Sequence, residues 1–133
     1  MGDLPQMQRV AAYNVCVDDA GRILNPLTAE GQVVGGAIQG VGAMLTEAVV
    51  HDAAGQPVSA SLLDYALLTA AEIPELVTAF VESPTPLNPL GAKGLGESGI
   101  IGAPPAIANA LADAIGRHLD PPYTAEKVWA ALR

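Results

Sequence analysis

The carboxylate best placed for chemistry is Glu97, in Leu90-Gly91-Ala92-Lys93-Gly94-Leu95-Gly96-Glu97-Ser98-Gly99-Ile100-Ile101-Gly102-Ala103-Pro104-Pro105, with glycines at 91, 94, 96, 99 and 102. Glycine has no side chain and tolerates positive φ, so such a loop can press its backbone against a bulky ligand. Proline suits the first helical turn, where an amide hydrogen would lack a partner anyway. The Pro104-Pro105 pair therefore predicts a helix over 105–115, with Glu97 held in a glycine loop at its entrance. A plain surface connection explains the same spacing equally well. Gly94-x-Gly96-x-x-Gly99 satisfies GxGxxG on paper, but no convincing βαβ unit surrounds it, and that match alone is weak. Residues alone lead to a ligand-facing loop and no further.

Other chemistry-bearing residues point nowhere specific. His51 and His118 have no Cys, Asp or Glu at metal-ligand spacing and read as surface or packing residues. The single cysteine, Cys16, sits in an apolar strand-like run and reads as a buried small hydrophobe, not a nucleophile. One cysteine rules out an internal disulfide framework and fits a reducing compartment. A formal net charge of −8, with only 6 Lys and Arg scattered along the chain, argues against nucleic acid. The longest apolar run, 33–45, is interrupted and too short to span a bilayer. No signal peptide opens the chain, so the expectation is a soluble protein of the cytoplasm.

A length of 133 residues with half of them hydrophobic suits one domain with one core, over 1–133. Residues 1–8 read as a loose lead-in and 9–18 as a strand, ended by the turn Asp18-Asp19-Ala20-Gly21. Arg22-Ile23-Leu24 suggests a short further strand. Asn25-Pro26 reads as an N-cap followed by proline at the first helical position. From Thr28 to Val49 the pattern is helical, with Val34, Ile38, Val41 and Leu45 recurring at threes and fours. Gly31, Gly35, Gly36, Gly40 and Gly42 would each cost such a helix roughly 1 kcal/mol relative to alanine. A close backbone approach, to another helix or to a cofactor, is the natural compensation; tight packing with no ligand is the alternative.

Residues 48–52 and 58–63 predict a hairpin about Ala53-Ala54-Gly55-Gln56-Pro57. Residues 64–72 are helical by composition alone. Residues 75–82 form the clearest strand after the first, and three prolines keep 83–89 irregular. Gly116 is the expected stop of the helix whose face carries Ile107, Leu111 and Ile115. Thr124 is the expected cap of a last short helix through Leu132, with Glu126 well placed near its start. The fold class predicted is α+β, a few-stranded mixed or antiparallel sheet packed against about three helices.

Asn88-Pro89-Leu90-Gly91-Ala92-Lys93-Gly94-Leu95-Gly96-Glu97-Ser98-Gly99, followed by Gly102-Ala103-Pro104-Pro105-Ala106 and Ala108-Asn109-Ala110, resembles the end of the molybdenum-binding subunit of the xanthine oxidase family. Asn25-Pro26-Leu27 and Glu30-Gly31-Gln32-Val33-Val34-Gly35-Gly36-Ala37-Ile38-Gln39-Gly40 resemble that family's other cofactor-facing helix start. Asp64-Tyr65 and Thr124-x-Glu126-Lys127-Val128-Trp129 fit the branch containing aerobic carbon monoxide dehydrogenases. The likeness runs over about 15–132, and it favours an extended or irregular segment over 64–72.

That resemblance implies a C-terminal portion of a longer subunit. It makes Glu97 the catalytic base beside molybdenum and Gln32 the glutamine next to the metal's ligands. It gives Gly31, Gly35, Lys93, Gly94, Gly96 and Ser98, with Gln32, the role of holding molybdopterin, the cytosine dinucleotide form being expected. No residue is a direct metal ligand. Iron–sulfur clusters and FAD would lie on partner subunits, and the rest of the molybdenum-binding subunit would complete the site. The activity implied is hydroxylation of a carbonyl, heterocycle or carbon monoxide with water-derived oxygen. Two alternatives stay open: a non-catalytic relic or assembly module, and a small-molecule domain using the glycine loop for an unrelated anion.

Overall fold

The computed structural model describes residues 14–73 and 75–133. The elements run β1 (Asn14–Asp18), α1 (Pro26–Leu45), β2 (Leu76–Phe80), α2 (Ser98–Ile115) and α3 (Ala125–Ala131), the expected α+β class with three helices. The 1–8 lead-in and the front of the strand expected over 9–18 lie outside the described residues; its end is β1.

Asn25 starts α1 as its type predicts, its Oδ1 accepting from the Thr28 amide at 3.1 Å, with Pro26 at the first position. Helix formation stops at Leu45, four residues before the expected end, because the Thr46 and Glu47 amides both fold back onto the Gly42 carbonyl at 2.9 Å. The Glu47 carboxylate lies over Gly42, where a Cβ would collide with it, and accepts the Tyr65 hydroxyl. The Thr46 hydroxyl donates to the Ala66 carbonyl at 2.8 Å. These bonds anchor Tyr65 and Ala66, and residues 64–72 are irregular with turns only at 64 and 70–72, the outcome the resemblance favoured over a helix.

β1 and β2 pair in parallel, Val15 beside Val77 and Val17 beside Ala79. Parallel neighbours need a long crossover, and α1 with the irregular chain after it supplies one. The hairpin expected over 48–63 reduces to a single bridge between His51 and Pro57. Pro57 has no amide hydrogen for a ladder, and Asp52 Oδ1 draws the Ala54 and Gln56 amides into a tight turn at 2.8 and 2.9 Å. Residues 22–24 are likewise no strand; Gly21 instead bridges Ala92.

α2 corrects a larger expectation. It begins at Ser98, not at the proline pair, so Pro104 and Pro105 lie inside it. Internal proline removes an intrahelical bond and costs about 3 kcal/mol. Tertiary packing overrides it here, because the Pro104 ring fills the space over Gly40, where a Cβ would sit 2.9 Å from it. The helix ends on Gly116 at φ 74°, as expected.

Successive contacts pair Gly36 with Ile100 and Gly40 with Ala103 and Pro104, so α1 and α2 run in the same direction. The buried stripe of α1 is Val33, Ala37, Gly40 and Val41, rather than the Val34, Ile38, Val41 and Leu45 face. The small residues mark where the backbones meet, and the larger ones flank that seam. Beyond it, Val41, Ile107, Leu111, Tyr123 and Val128 form the core, each buried aliphatic contributing about 1.5–3 kcal/mol. α3 joins through Val128, and the Tyr123 amide donates to the Met44 carbonyl at 2.6 Å. Thr124 takes the cap position without a side-chain cap bond. Trp129, the chain's one tryptophan, carries the Arg133 guanidinium 3.4 Å above its ring. Cys16 is half-buried, and burial followed by the nearby Asp18 charge pushes its thiol up.

Candidate functional site

Where the two helices first touch, a Cβ on Gly99 would collide with the Val33 carbonyl oxygen and sit 2.7 Å from the Ala37 nitrogen. Gln32 stands one residue before that contact on α1, and Glu97 two residues before it on α2. Both residues therefore lie at the amino-terminal end of the seam, and both are exposed. Glu97 occupies the N-cap position of α2 with no side-chain cap bond, so its carboxylate is free for other work.

The glycines divide into two sets. Gly36, Gly40 and Gly99 face the other helix and have no room for a side chain. Gly31 and Gly35 on α1, and Gly94 and Gly96 in the loop, have nothing within 4 Å of the place a Cβ would take. Their absent side chains serve no packing among the described residues. Gly31 adjoins Gln32 and Gly96 adjoins Glu97 in sequence, so each polar side chain stands next to a glycine with open space at its Cβ position. Parallel helices also bring both positive amino ends toward one side, which suits an anionic group.

The loop before Glu97 is held from outside the helices. The Arg22 amide donates to the Gly91 carbonyl at 2.9 Å, and the Lys93 amide to the Ala20 carbonyl at 2.8 Å. Gly91 sits at φ 70°, a conformation glycine adopts without strain. Asn88 braces the turn, its Nδ2 donating to the Ala92 carbonyl at 2.8 Å. Lys93 Nζ bonds Asp19 Oδ2 at 2.7 Å, so its charge is already matched. It also lines a recess of about 230 Å³ with Gln32, Asn25, Thr28, Arg22 and Leu95. Ser98 is not brought there: its hydroxyl donates to the Leu95 carbonyl at 3.2 Å, and it lines a separate hollow beside β1.

Asp19 is the residue sequence reasoning missed. Its carboxylate takes Lys93, the Gly21 amide at 2.8 Å and the Ser83 amide at 3.1 Å, tying three distant segments together. The Asp-Asp-Ala-Gly turn signalled the Gly21 bond; nothing local signalled the other two. The Lys93 hydrogen bond, then the Gly21 amide, hold this carboxyl below the usual carboxylate range. The fold therefore favours the ionised form. Its contribution is present above the ordinary aspartate value of about 3.9 and is lost as pH falls through the lowered folded value. Asp19→Asn should lower the melting temperature near neutral pH, modestly because the pair is exposed. That difference from the unsubstituted chain should close in strong acid; a gap that persists there refutes the ionic role.

Residues 9–74 match the family model of the molybdopterin cofactor-binding domain. The chain is 48% identical over 117 residues to the 6-hydroxypseudooxynicotine dehydrogenase complex subunit gamma of Paenarthrobacter nicotinovorans, covering 84% of itself and 15% of that protein. It is 37% identical over 121 residues to the carbon monoxide dehydrogenase large chain of Hydrogenophaga pseudoflava, covering 88% of itself and 15% of the relative. The reconstituted carbon monoxide dehydrogenase of Oligotropha carboxidovorans superposes with a TM-score of 0.84 at 35% identity, over 88% of this chain and 15% of that one. Fold and matches together define a molybdopterin-binding domain. The chain belongs to the molybdenum-binding subunits of the xanthine oxidase family, and it spans about 15% of the length of the relatives it matches.

Proposed function

We propose that this chain forms one wall of the active site of a molybdenum hydroxylase, as the C-terminal portion of its molybdenum-binding subunit. The observation that carries the reading is the outward glycine set, Gly31, Gly35, Gly94 and Gly96, beside Gln32 and Glu97. Each glycine inside a helix costs about 0.5–1 kcal/mol, and the described chain gives no return for Gly31 and Gly35. A molybdopterin lying across them supplies that return.

Bound molybdopterin supplies redox chemistry, an acceptor for substrate electrons and a centre at which water is activated. The chain's own residues do the rest. Glu97 takes a proton at its carboxylate, the role of a positioned general base. Gln32 donates a hydrogen bond from Nε2 and orients without adding charge. The backbone at Gly31, Gly35, Gly94 and Gly96 admits close approach, and Lys93 lies beside it in the recess with Gln32, whereas Ser98 faces the separate hollow and takes no part. We further assign the cytosine dinucleotide form of the cofactor, iron–sulfur and flavin partner subunits, and a cytoplasmic setting that suits the free Cys16.

Gly35→Leu separates wall from scaffold. The isolated variant should melt no lower than the parent chain, since its side chain enters open space. In the assembled enzyme it should lower molybdenum per protomer at least tenfold by metal analysis. Unchanged molybdenum content overturns the wall reading.

A further inference from the structure

The two strands carry an apolar face that no described residue covers. Side chains alternate along them, so Val15, Val17 and Val77 stand exposed at 67, 60 and 50%, with Ala79 completing the patch, while Cys16, Leu76 and Phe80 turn inward. The parallel register sets these four outward residues side by side. Parallel sheets occur almost only with both faces covered, and two strands are too few to stand alone. A hollow of about 200 Å³ also runs beside β1, lined across from it by Ser98, Gly102 and Ala106 of α2.

The rim identifies the occupant. Asp18 ends β1, Glu75 and Glu82 bracket β2, and neither strand contains Lys or Arg. A second copy would set like charges against each other, in a chain already at −8. The chain spans 15% of its relatives' length, so most of such a subunit lies outside it. We propose that Val15, Val17, Val77 and Ala79 form the docking surface for the remaining polypeptide of a molybdenum-binding subunit, which presents an apolar layer with a basic rim. This rests on the reading of the chain as part of such a subunit.

The test supplies a related subunit lacking this segment as a separate polypeptide, then follows binding by sedimentation and hydrogen exchange. The parent chain should join it, with the β1 amides becoming protected. Val15→Lys with Val17→Lys should keep the chain's helicity, because both positions are exposed, and weaken joining at least a hundredfold. Val77→Lys alone, on the other strand, should weaken joining in the same direction and serves if the double variant fails to fold. Undiminished joining by the variants overturns the proposal, as does a parent chain that does not join. A self-dimer broken by the same substitutions also overturns it and gives the face to a second copy. A complex that forms through this face yet retains no molybdenum refutes the cofactor wall and leaves the docking surface standing. A complex that holds molybdenum while the variants assemble normally does the reverse.

Discussion

Gly99→Val is expected to lower the melting temperature of the chain by roughly 10 °C or more. The added Cβ would meet the Val33 carbonyl oxygen and the Ala37 nitrogen, both backbone atoms inside α1. Neither can swing aside as a side-chain tip would, so α2 must retreat as a body. Overpacking of this kind costs typically 1–3 kcal/mol and sometimes more, against a total of about 5–15 kcal/mol for an ordinary domain. Retreat also lifts Pro104 off Gly40 and loosens the core beyond it. Gly102→Val is the control, three residues further along the same helix with nothing within 4 Å; it should melt near the parent chain. Thermal circular dichroism checks both. A Gly99→Val chain melting within a few degrees of the parent refutes the seam as described.

Glu97→Gln should reduce turnover of the assembled enzyme by roughly a hundredfold to ten-thousandfold, the range a positioned base contributes. Gln keeps the shape and loses the proton acceptor. The change is clean because the Glu97 side chain makes no cap bond and no ion pair among the described residues. Stability should therefore move by no more than about 0.5 kcal/mol, and molybdenum content should stay at the parent level. Lys93 is engaged by Asp19 instead of pairing with this carboxylate. Turnover within tenfold of the parent would remove Glu97 as the base.

Local rules carried much of this fold. Asn25 with Pro26 and Gly116 marked helix ends correctly because capping needs only neighbours in sequence. The proline pair puts the start of α2 too late because proline's preference is local, whereas the ring's accommodation depends on Gly40, 64 positions away. The hairpin expected from the turn chemistry of 53–57 shrinks for a related reason: Asp52 and Pro57 leave only the His51–Pro57 bridge. The family's motifs single out Glu97 and Gln32, but only the helix crossing shows that both residues lie at the amino-terminal end of the seam. Nor does any periodicity tell an inward glycine such as Gly36 from an outward one such as Gly35. Neighbours in sequence, they face different surroundings.

Trp129 lies on α3, exposed under the Arg133 guanidinium, while its neighbour Val128 enters the core at the carboxyl halves of the long helices. Glu97 and Gln32 belong to the opposite, amino-terminal end of the helix seam. Emission from Trp129 will therefore report the surroundings of the last helix directly, and events at the other end of the seam only from a distance. A metal assay, which does not depend on that distance, is the more direct measure of what the amino-terminal end holds.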